Sequence, residues 1–592
     1  MENKKRIPHS IHLLGKGISI LIKTSGLYTI LIVGLNIISG LIAPLNLVVY
    51  QELLDCIVNM VEAERWISSG AFFLAILSVL SMFLFALNGT IDFVKQVFSD
   101  KLDLRITEQV LHKSILLPME TFDNAEIYNH INIAVVRTSS SCLKLLESIS
   151  EIIYSAVKGF SYLYIVVNFS WPIAVLSLIT MIPLFHLSVK INKYWYQIHF
   201  ERVEKNRLIQ YLKMLLVKNS CIKEIKLYNV GEKVINFIKD CFSNFIKEDI
   251  KVRKKFLHKK TRALFLNEVV TFVVKLWLVV TAIEKKCTLG TIVLYINSFD
   301  NLKLSYNQFI RQFSALQDSL QYLESLDILE QEKIACIHTD QCFNKGFKEI
   351  EFRNVSFKYP GCDQYVLEEI SMTFKRGQTY FIVGFNGSGK TTIIKLLLRL
   401  YQPTQGEILI DGVNIQSINL AQYYANISAI FQDFIEYPFD VYENVTIRTI
   451  GQPPNRFDEV LDYVEMRDFV DSLPNKERTL LMRDWSGGMD LSQGQWQKLA
   501  IARCIYGNSV ISILDEPFSS IDAEAENNII SNLRKNSSDN LIIFITHRFS
   551  SISKDDQIVV LKKGKIIEQG THEQLIKNES IYYRLYSSQN LT

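Results

Sequence analysis

Proline and glycine are scarce in this chain, at 12 and 25 of 592 residues. That excludes a collagen-like or linker-rich architecture. An excess of one charge is also missing. The 64 Lys and Arg stand against 61 Asp and Glu, a formal net charge of only +3, whereas a nucleic-acid binder presents a marked basic surplus. The nine cysteines, at 56, 142, 221, 241, 287, 336, 342, 362 and 504, contain no CxxC pair. Zinc-ligand spacing is therefore absent. Most of them fall in segments read below as cytosolic, where thiols stay reduced, so no structural disulfide is expected. With 48% hydrophobic and 21% charged residues, intrinsic disorder is excluded as well. The length exceeds one ordinary domain. A mean hydropathy of +0.13 points to membrane spans joined to a soluble part.

The apolar content is concentrated in the first half. A spanning helix needs about 20 mainly apolar residues, and six stretches qualify: 25–49, 68–91, 147–168, 169–190, 263–284 and 288–311. The third and fourth are separated by a short break at 168–172, which predicts a tight hairpin. The sixth is the weakest, with Asp300 and Lys303 near its end. Residues 1–24 carry Lys4, Lys5, Arg6, Lys16 and Lys23. Within them, 11–22 mixes Ile and Leu with His and Lys, the pattern of an amphipathic helix on the inner membrane surface; a disordered basic tail is the alternative. The run at 25–50 is long enough to span and is followed by further spans, so it reads as a retained helix and not a cleaved signal.

Lys and Arg collect on the cytosolic side of membrane proteins. The 51–67 loop has Glu52, Asp55, Glu62 and Glu64 against Arg65 alone and is placed outside. The segments after the second and fourth spans are basic, the latter culminating in Lys251, Arg253, Lys254, Lys255, Lys259, Lys260 and Arg262. Both are placed in the cytosol, and both have the apolar spacing of helices. Ionisable groups inside spans are costly and often functional. Lys275 and, seven residues earlier on nearly the same face, Glu268 are candidates for a substrate cavity, as is Lys158; snorkelling or a structural pair is the competing reading.

From 346 onward, short β-rich runs alternate with helices, as in an α/β domain. The strand-like TYFIV at 379–383 runs into Gly384-Phe385-Asn386-Gly387-Ser388-Gly389-Lys390-Thr391-Thr392 and then a helical KLLLRLY. This is G-x-x-x-x-G-K-[ST] in its strand–loop–helix setting. Such a loop turns consecutive N–H groups inward around phosphates at a helix N-terminus. Lys390 can reach the β- and γ-phosphates, and Thr391 can ligate Mg²⁺. A second strand, VISIL at 510–514, ends in Asp515-Glu516. Beside a P-loop, Asp515 suits Mg²⁺ and Glu516 suits polarisation of the attacking water.

These residues specify a P-loop NTPase, and the rest of the order is more specific. Leu491-Ser492-Gln493-Gly494-Gln495, before a helical WQKLAIARCIYGN, resembles the signature of ATP-binding cassette proteins. On that resemblance, Tyr359 in FKYP matches the aromatic that stacks on adenine, and Gln432 in IFQD matches the Q-loop glutamine, a further Mg²⁺ ligand. Ser520 and Asp522 match the D-loop, and His547 after NLIIFIT matches the switch histidine. The resemblance covers 346–592. It departs at Gln493, where the common form has Gly, and at RDWSGGM over 483–489, where the family has an acidic–Gly segment.

Six spans followed by one cassette resemble a half-transporter of the ABC exporter class. The expected fold is an α-helical six-span transmembrane domain with long cytosolic helical extensions, plus an α/β P-loop NTPase domain. The expected limits are 1–24 for the N-terminal segment, 25–312 for the transmembrane domain, 313–345 for a helical linker and 346–592 for the cassette. The resemblance implies ATP and Mg²⁺ as ligands and a dimer in which one copy's Lys390 faces the other copy's Ser492 and Gly494. A complete set of site residues makes a homodimer sufficient, with a heterodimer the alternative. Turns at 117–129 and 219–231 are the expected points of transmission between cassette and spans. FDNAEIYN at 122–129, KEIKLYN at 223–229, FQDF at 431–434 and LSQGQWQKLAIAR at 491–503 resemble the peptidase-free lantibiotic exporters. That implies a leader-bearing peptide as cargo, membrane lipid as surroundings and a peptide-modification enzyme as a partner, at a bacterial cytoplasmic membrane with the cassette and both termini inside. A lipid flippase or multidrug exporter shares every catalytic residue and stays open. So does a channel or sensor with a vestigial ATPase, which intact Glu516 and His547 disfavour.

Overall fold

The computed structural model describes residues 3–63, 68–332, 341–447, 455–536, 539–549, 552–579 and 581–590. Glu64 and Arg65 of the outer loop, and Cys336, lie outside them. The other eight cysteines are free thiols. The chain divides into two compact units: Met1–Leu116 with Ala125–Glu332, and Leu117–Asn124 with Lys333–Thr592.

The first unit is helical. Its members are α1 (Asn3–Ala63), α2 (Ser68–Leu116), then, beyond the short α3 (Met119–Asp123), α4 (Ala125–Phe169), α5 (Trp171–Glu201), α6 (Val203–Val217), α7 (Asn219–Leu227), α8 (Gly231–Glu284) and α9 (Leu289–Gln331). Five of them, α1, α2, α4, α5 and α8, are long and apolar enough to cross a membrane. The sixth expected span lies in α9, which is long enough but carries Asp300 and Lys303. Only Ser170 separates α4 from α5, as the hairpin expectation requires.

The N-terminal segment is helical, and part of its apolar face packs on protein. Leu13 and Leu21 are buried, Gly17 abuts Leu145 of α4 and Leu323 of α9, and Lys16 Nζ lies 2.6 Å from both Asp327 Oδ1 and Glu330 Oε2. The helix breaks at Ser25, with φ −164° and ψ 98°, where the basic tail passes into the first apolar stretch. One expectation needs correction, that of the two transmission segments. They are not turns. Each holds a short helix, α3 and α7, and the 117–124 stretch packs as part of the second unit.

The second unit contains two sheets. A four-stranded antiparallel sheet has the order β2-β1-β4-β5, from β1 (Glu349–Phe357), β2 (Leu367–Lys375), β4 (Gln405–Ile410) and β5 (Val413–Asn414). A six-stranded sheet has the order β10-β9-β3-β8-β7-β6. Its strands are β3 (Thr379–Gly384), β6 (Ile427–Ile430), β7 (Ile511–Asp515), β8 (Leu541–Ile545), β9 (Gln557–Lys562) and β10 (Lys565–Thr571). Within it β9, β3, β8, β7 and β6 run parallel. The strands β7 and β8 are buried along their whole length. Continuous apolar runs such as VISIL are what a parallel sheet covered on both faces demands. In such sheets the crevice for ligands lies at the carboxyl ends of the strands. Here β3 and β7 carry Gly384 and Asp515 to that edge.

Candidate functional site

At the end of β3 the chain turns through 384–389 into α10 (Lys390–Leu397). The turn depends on Gly389, which has φ +102°. A Cβ there would lie 2.6 Å from Leu367 Cδ2, so a side chain is excluded by backbone conformation and by space. The loop frames a cleft of about 440 Å³ lined by Val366, 386–392, Gln432, Glu516 and His547. Asn386, Gly387, Ser388, Gly389, Lys390, Thr391 and Thr392 thus share one wall. Ser388 Oγ is buried without a hydrogen-bond partner among the described residues, an unmet polar atom of the kind a phosphate oxygen satisfies.

Lys390 Nζ donates to the carbonyls of Gly384 at 2.8 Å and Phe385 at 3.2 Å. Burial lowers its pKa, against the pull of Glu516 and Asp515. Thr391 Oγ1 donates to Asp515 Oδ2 at 2.9 Å. Burial raises the Asp515 carboxyl above its ordinary range, opposed by that hydrogen bond. A hydroxyl and a carboxylate side by side beside a phosphate cradle is a donor set that suits Mg²⁺, which takes few protein oxygens and completes its shell with phosphate and water.

Glu516 is held at a left-handed φ of +48°, with its N–H donating to Ile545 O at 2.9 Å. Its two carboxylate oxygens are engaged separately. Gln432 Nε2 donates to Oε2 at 3.0 Å, and His547 Nε2 lies 3.0 Å from Oε1. Burial lowers the His547 imidazole, reinforced by the charge of Lys390 and opposed by Glu516. Gln432 was expected among the metal ligands; in this structure its amide is turned to Glu516.

Tyr359 stands apart from these groups. Its hydroxyl lies 3.1 Å from Thr392 Oγ1, and its ring meets Phe357 and Tyr401 edge-on at 5.0 and 5.3 Å. It lines a second cleft with Glu120, Lys358 and Cys362.

The 491–495 segment does not line the P-loop cleft. Leu491 is buried. Ser492 caps the helix Gln493–Tyr506 through a reciprocal box with Gln495, its N–H donating at 2.8 Å to Gln495 Oε1 while its Oγ accepts from Gln495 N. Gln493 is the exposed first residue of that helix, a position with no need for glycine. Gly494 is different, since a Cβ would sit 2.7 Å from Ser520 O. Asp522 accepts from Ala525 N at 2.9 Å, which lowers its pKa.

Two residues to which the sequence assigned no role tie these pieces together. Gln497 Oε1 accepts from Ser520 N at 2.8 Å, and its amide donates to Ser519 Oγ at 2.9 Å and Glu516 O at 3.3 Å. Arg548 donates to Ile521 O, Ser519 O and Glu526 Oε2. Their place within the signature helix and beside the histidine was the only signal in the sequence.

The membrane-side candidates are dispersed. Lys275 pairs with Asp300 at 2.8 Å and Glu268 with Lys303 at 2.7 Å. Each is thus tied from α8 to α9, and they are not joined to each other. Lys158 Nζ lies 5.6 Å from the centre of the Tyr154 ring.

The ABC transporter domain family matches residues 367–519. Along nearly its whole length the chain is similar to the subtilin transport ATP-binding protein SpaT of Bacillus subtilis, 30% identical over 564 residues, covering 94% of this chain and 90% of that protein. It is also similar to the nisin transport ATP-binding protein NisT of Lactococcus lactis subsp. lactis, 26% identical over 568 residues, 95% and 94% of the two chains. An ATP-dependent lipid A-core flippase of Bordetella avium matches at 36% over 242 residues, 41% of this chain and 40% of the flippase. In fold, the chain matches a bacterial Atm1-family ABC exporter with ATP bound, with a TM-score of 0.77 at 20% identity, over 96% and 99% of the chains.

Proposed function

This chain belongs to the ABC transporter family, and we propose that it is a half-transporter that hydrolyses ATP to export a leader-bearing modified peptide. The observation that carries the peptide reading is the reach of the similarity. It extends through both units for the subtilin and nisin transport proteins, whereas the flippase match spans less than half of either chain. A lipid or drug exporter is the second reading, since the cassette is common to both.

The geometry of the cleft supports the following roles. The 384–389 loop, Lys390, Thr391 and Thr392 receive the phosphates, with Ser388 supplying its unmet hydroxyl. The Tyr359 ring stacks on the adenine. Thr391 and Asp515 would hold Mg²⁺, with Gln432 a further candidate ligand, and the bound ion would neutralise phosphate charge. Glu516 orients the attacking water and accepts its proton, and assistance of that kind is worth about 10²–10⁴-fold. Gln432 and His547, each on one oxygen of Glu516, set the direction of the carboxylate. Ser492, Gln493 and Gly494 lie outside their own chain's cleft, which supports a role in completing the site of a second chain. The reading is a homodimer, with a heterodimer the alternative, in a bacterial cytoplasmic membrane with cassettes and termini inside. The working division is 1–24, 25–312, 313–345 and 346–592.

The test is the ATPase rate of the purified chain in lipid nanodiscs, with Glu516→Gln as baseline. A leader-bearing precursor peptide, then a lipid and drug panel, are added separately. Stimulation by peptide alone is expected. Stimulation only by lipids or drugs replaces the peptide reading with the second one, and turnover by Glu516→Gln equal to wild type sinks the assignment of the base.

A further inference from the structure

Three lysines lie inside the apolar stretches of α4, α8 and α9: Lys158, Lys275 and Lys303. Two have carboxylates at contact distance, Asp300 for Lys275 and Glu268 for Lys303. Lys158 has none among the described residues. Its ammonium rests against the Tyr154 ring at 5.6 Å, and the charge of Glu151 acts on it without an ion pair. The acid nearest in sequence on the same helix, Glu151, is taken by Lys95 at 3.5 Å and by the amide of Gln308 at 2.5 Å.

The depth of Lys158 makes this costly. It is eleven residues from Phe169, the end of α4, which at a rise of 1.5 Å per residue is about 16 Å. The hydrocarbon core is about 30 Å thick, so Lys158 sits near its middle. Its four-carbon stem is too short to bring the charge to either interface. An ionised side chain at that depth needs a water-filled cavity or an anion.

The surroundings are built for the second. Glu151, Tyr154, Ser155, Lys158 and Tyr162 recur at three, four, seven and eleven residues, one face of α4. Tyr162 and Ser155 are buried. The flanking positions are packed: Val157 against Gly40 of α1 and Gly159 against Ser305 of α9. The stripe thus presents one cation and two phenols between packed neighbours, a donor set for a carboxylate; the Ser155 hydroxyl is already spent on Ile152 O at 3.1 Å.

We propose that Lys158, with Tyr154 and Tyr162, receives an anionic group of the cargo, a carboxylate of the exported peptide, and so selects acidic over neutral peptides. The inference rests on the peptide-export reading. Lys275 and Glu268 lose their candidacy as free cavity charges and become ties between α8 and α9.

The test uses the full chain in nanodiscs and two probes. One is subtilin precursor peptide; the other is the same peptide with Asp and Glu replaced by Asn and Gln and its C-terminus amidated. The readout is the peptide concentration giving half-maximal ATPase stimulation. Wild type is expected to need at least tenfold more of the neutral peptide. Lys158→Arg keeps that discrimination, Lys158→Gln abolishes it and Lys158→Glu reverses it. Equal discrimination in Lys158→Gln, Lys158→Glu and wild type overturns the proposal, as does equal response of wild type to both peptides. A general structural defect would raise both half-maximal concentrations together and would also count against it. If neither peptide stimulates wild type, phosphatidylglycerol and phosphatidylcholine nanodiscs are compared. Stimulation by the anionic lipid that Lys158→Gln loses then overturns the peptide reading and retains an anion site, whereas the same lipid response in both chains overturns both.

Discussion

The hydroxyl of Tyr401 donates to Oδ2 of Asp123 at 2.6 Å. Tyr401 is buried and meets the Tyr359 ring edge-on, so a single side chain joins Tyr359 to the short helix α3. Burial, then the Asp123 carboxylate, raises the Tyr401 phenol above its ordinary value, which keeps it a donor throughout the working pH range.

Removing that hydroxyl while keeping the ring is the first prediction. Tyr401→Phe is expected to cost about 0.5–1.5 kcal/mol of stability, the net value of a typical hydrogen bond, read by urea unfolding. The ratio of peptide-stimulated to basal ATPase should fall with it, because α3 loses its anchor. An unchanged ratio would show that this contact does not carry the signal.

The signature helix makes a sharper contrast. Gly494→Ala places a methyl 2.7 Å from Ser520 O and must displace the 519–522 segment. Misplacement of about 1 Å can cost on the order of a hundredfold in rate, so ATPase is expected to drop by that order. Gln493→Gly, at an exposed helix start, should stay within about twofold, as ordinary surface changes do. Comparable losses in the two variants would refute this reading of the signature.

Asp515 predicts a trade between stability and turnover. Its carboxyl is raised by burial, so the ionised form penalises the folded state. The penalty is fully present above the raised folded value and vanishes below the unfolded value near 4. Asp515→Asn should therefore melt higher than wild type at pH 7 without nucleotide, with the gap closing toward pH 4. It should also lose Mg²⁺-dependent ATPase. An equal or lower melting point at pH 7 contradicts the argument.

A fourth prediction concerns the N-terminal segment. Lys16→Ala leaves Asp327, which is buried, with Gln331 Nε2 at 2.6 Å from Oδ2 as its remaining side-chain donor among the described residues. Loss of a hydrogen bond to a charged group costs about 1.5–3 kcal/mol. The double variant Lys16→Met, Asp327→Asn should recover part of the melting temperature lost by Lys16→Ala. If the single variant melts like wild type, the segment is not held by this contact.

Residue order and local chemistry by themselves determined the class of this protein. A strand, a glycine loop, Lys390 and Thr391, then Asp515-Glu516 after an apolar run, can be read locally because β3 and β7 are continuous apolar segments and the P-loop is one contiguous turn. The apolar stretches were equally legible, since length and hydropathy are properties of one helix. Tertiary structure decided whatever depends on partners distant in sequence. It put Gln432 and His547 on opposite oxygens of Glu516, left no room for a Cβ at Gly494 beside Ser520, and recruited Gln497 and Arg548, to which the sequence assigned no role. It also separated three intramembrane lysines that look alike in sequence. Asp300 and Glu268 neutralise two of them across α8 and α9, while Lys158 lies in a stripe whose one acid is already engaged. Charge pairing is a distance between side chains, and no pattern along a single helix contains it.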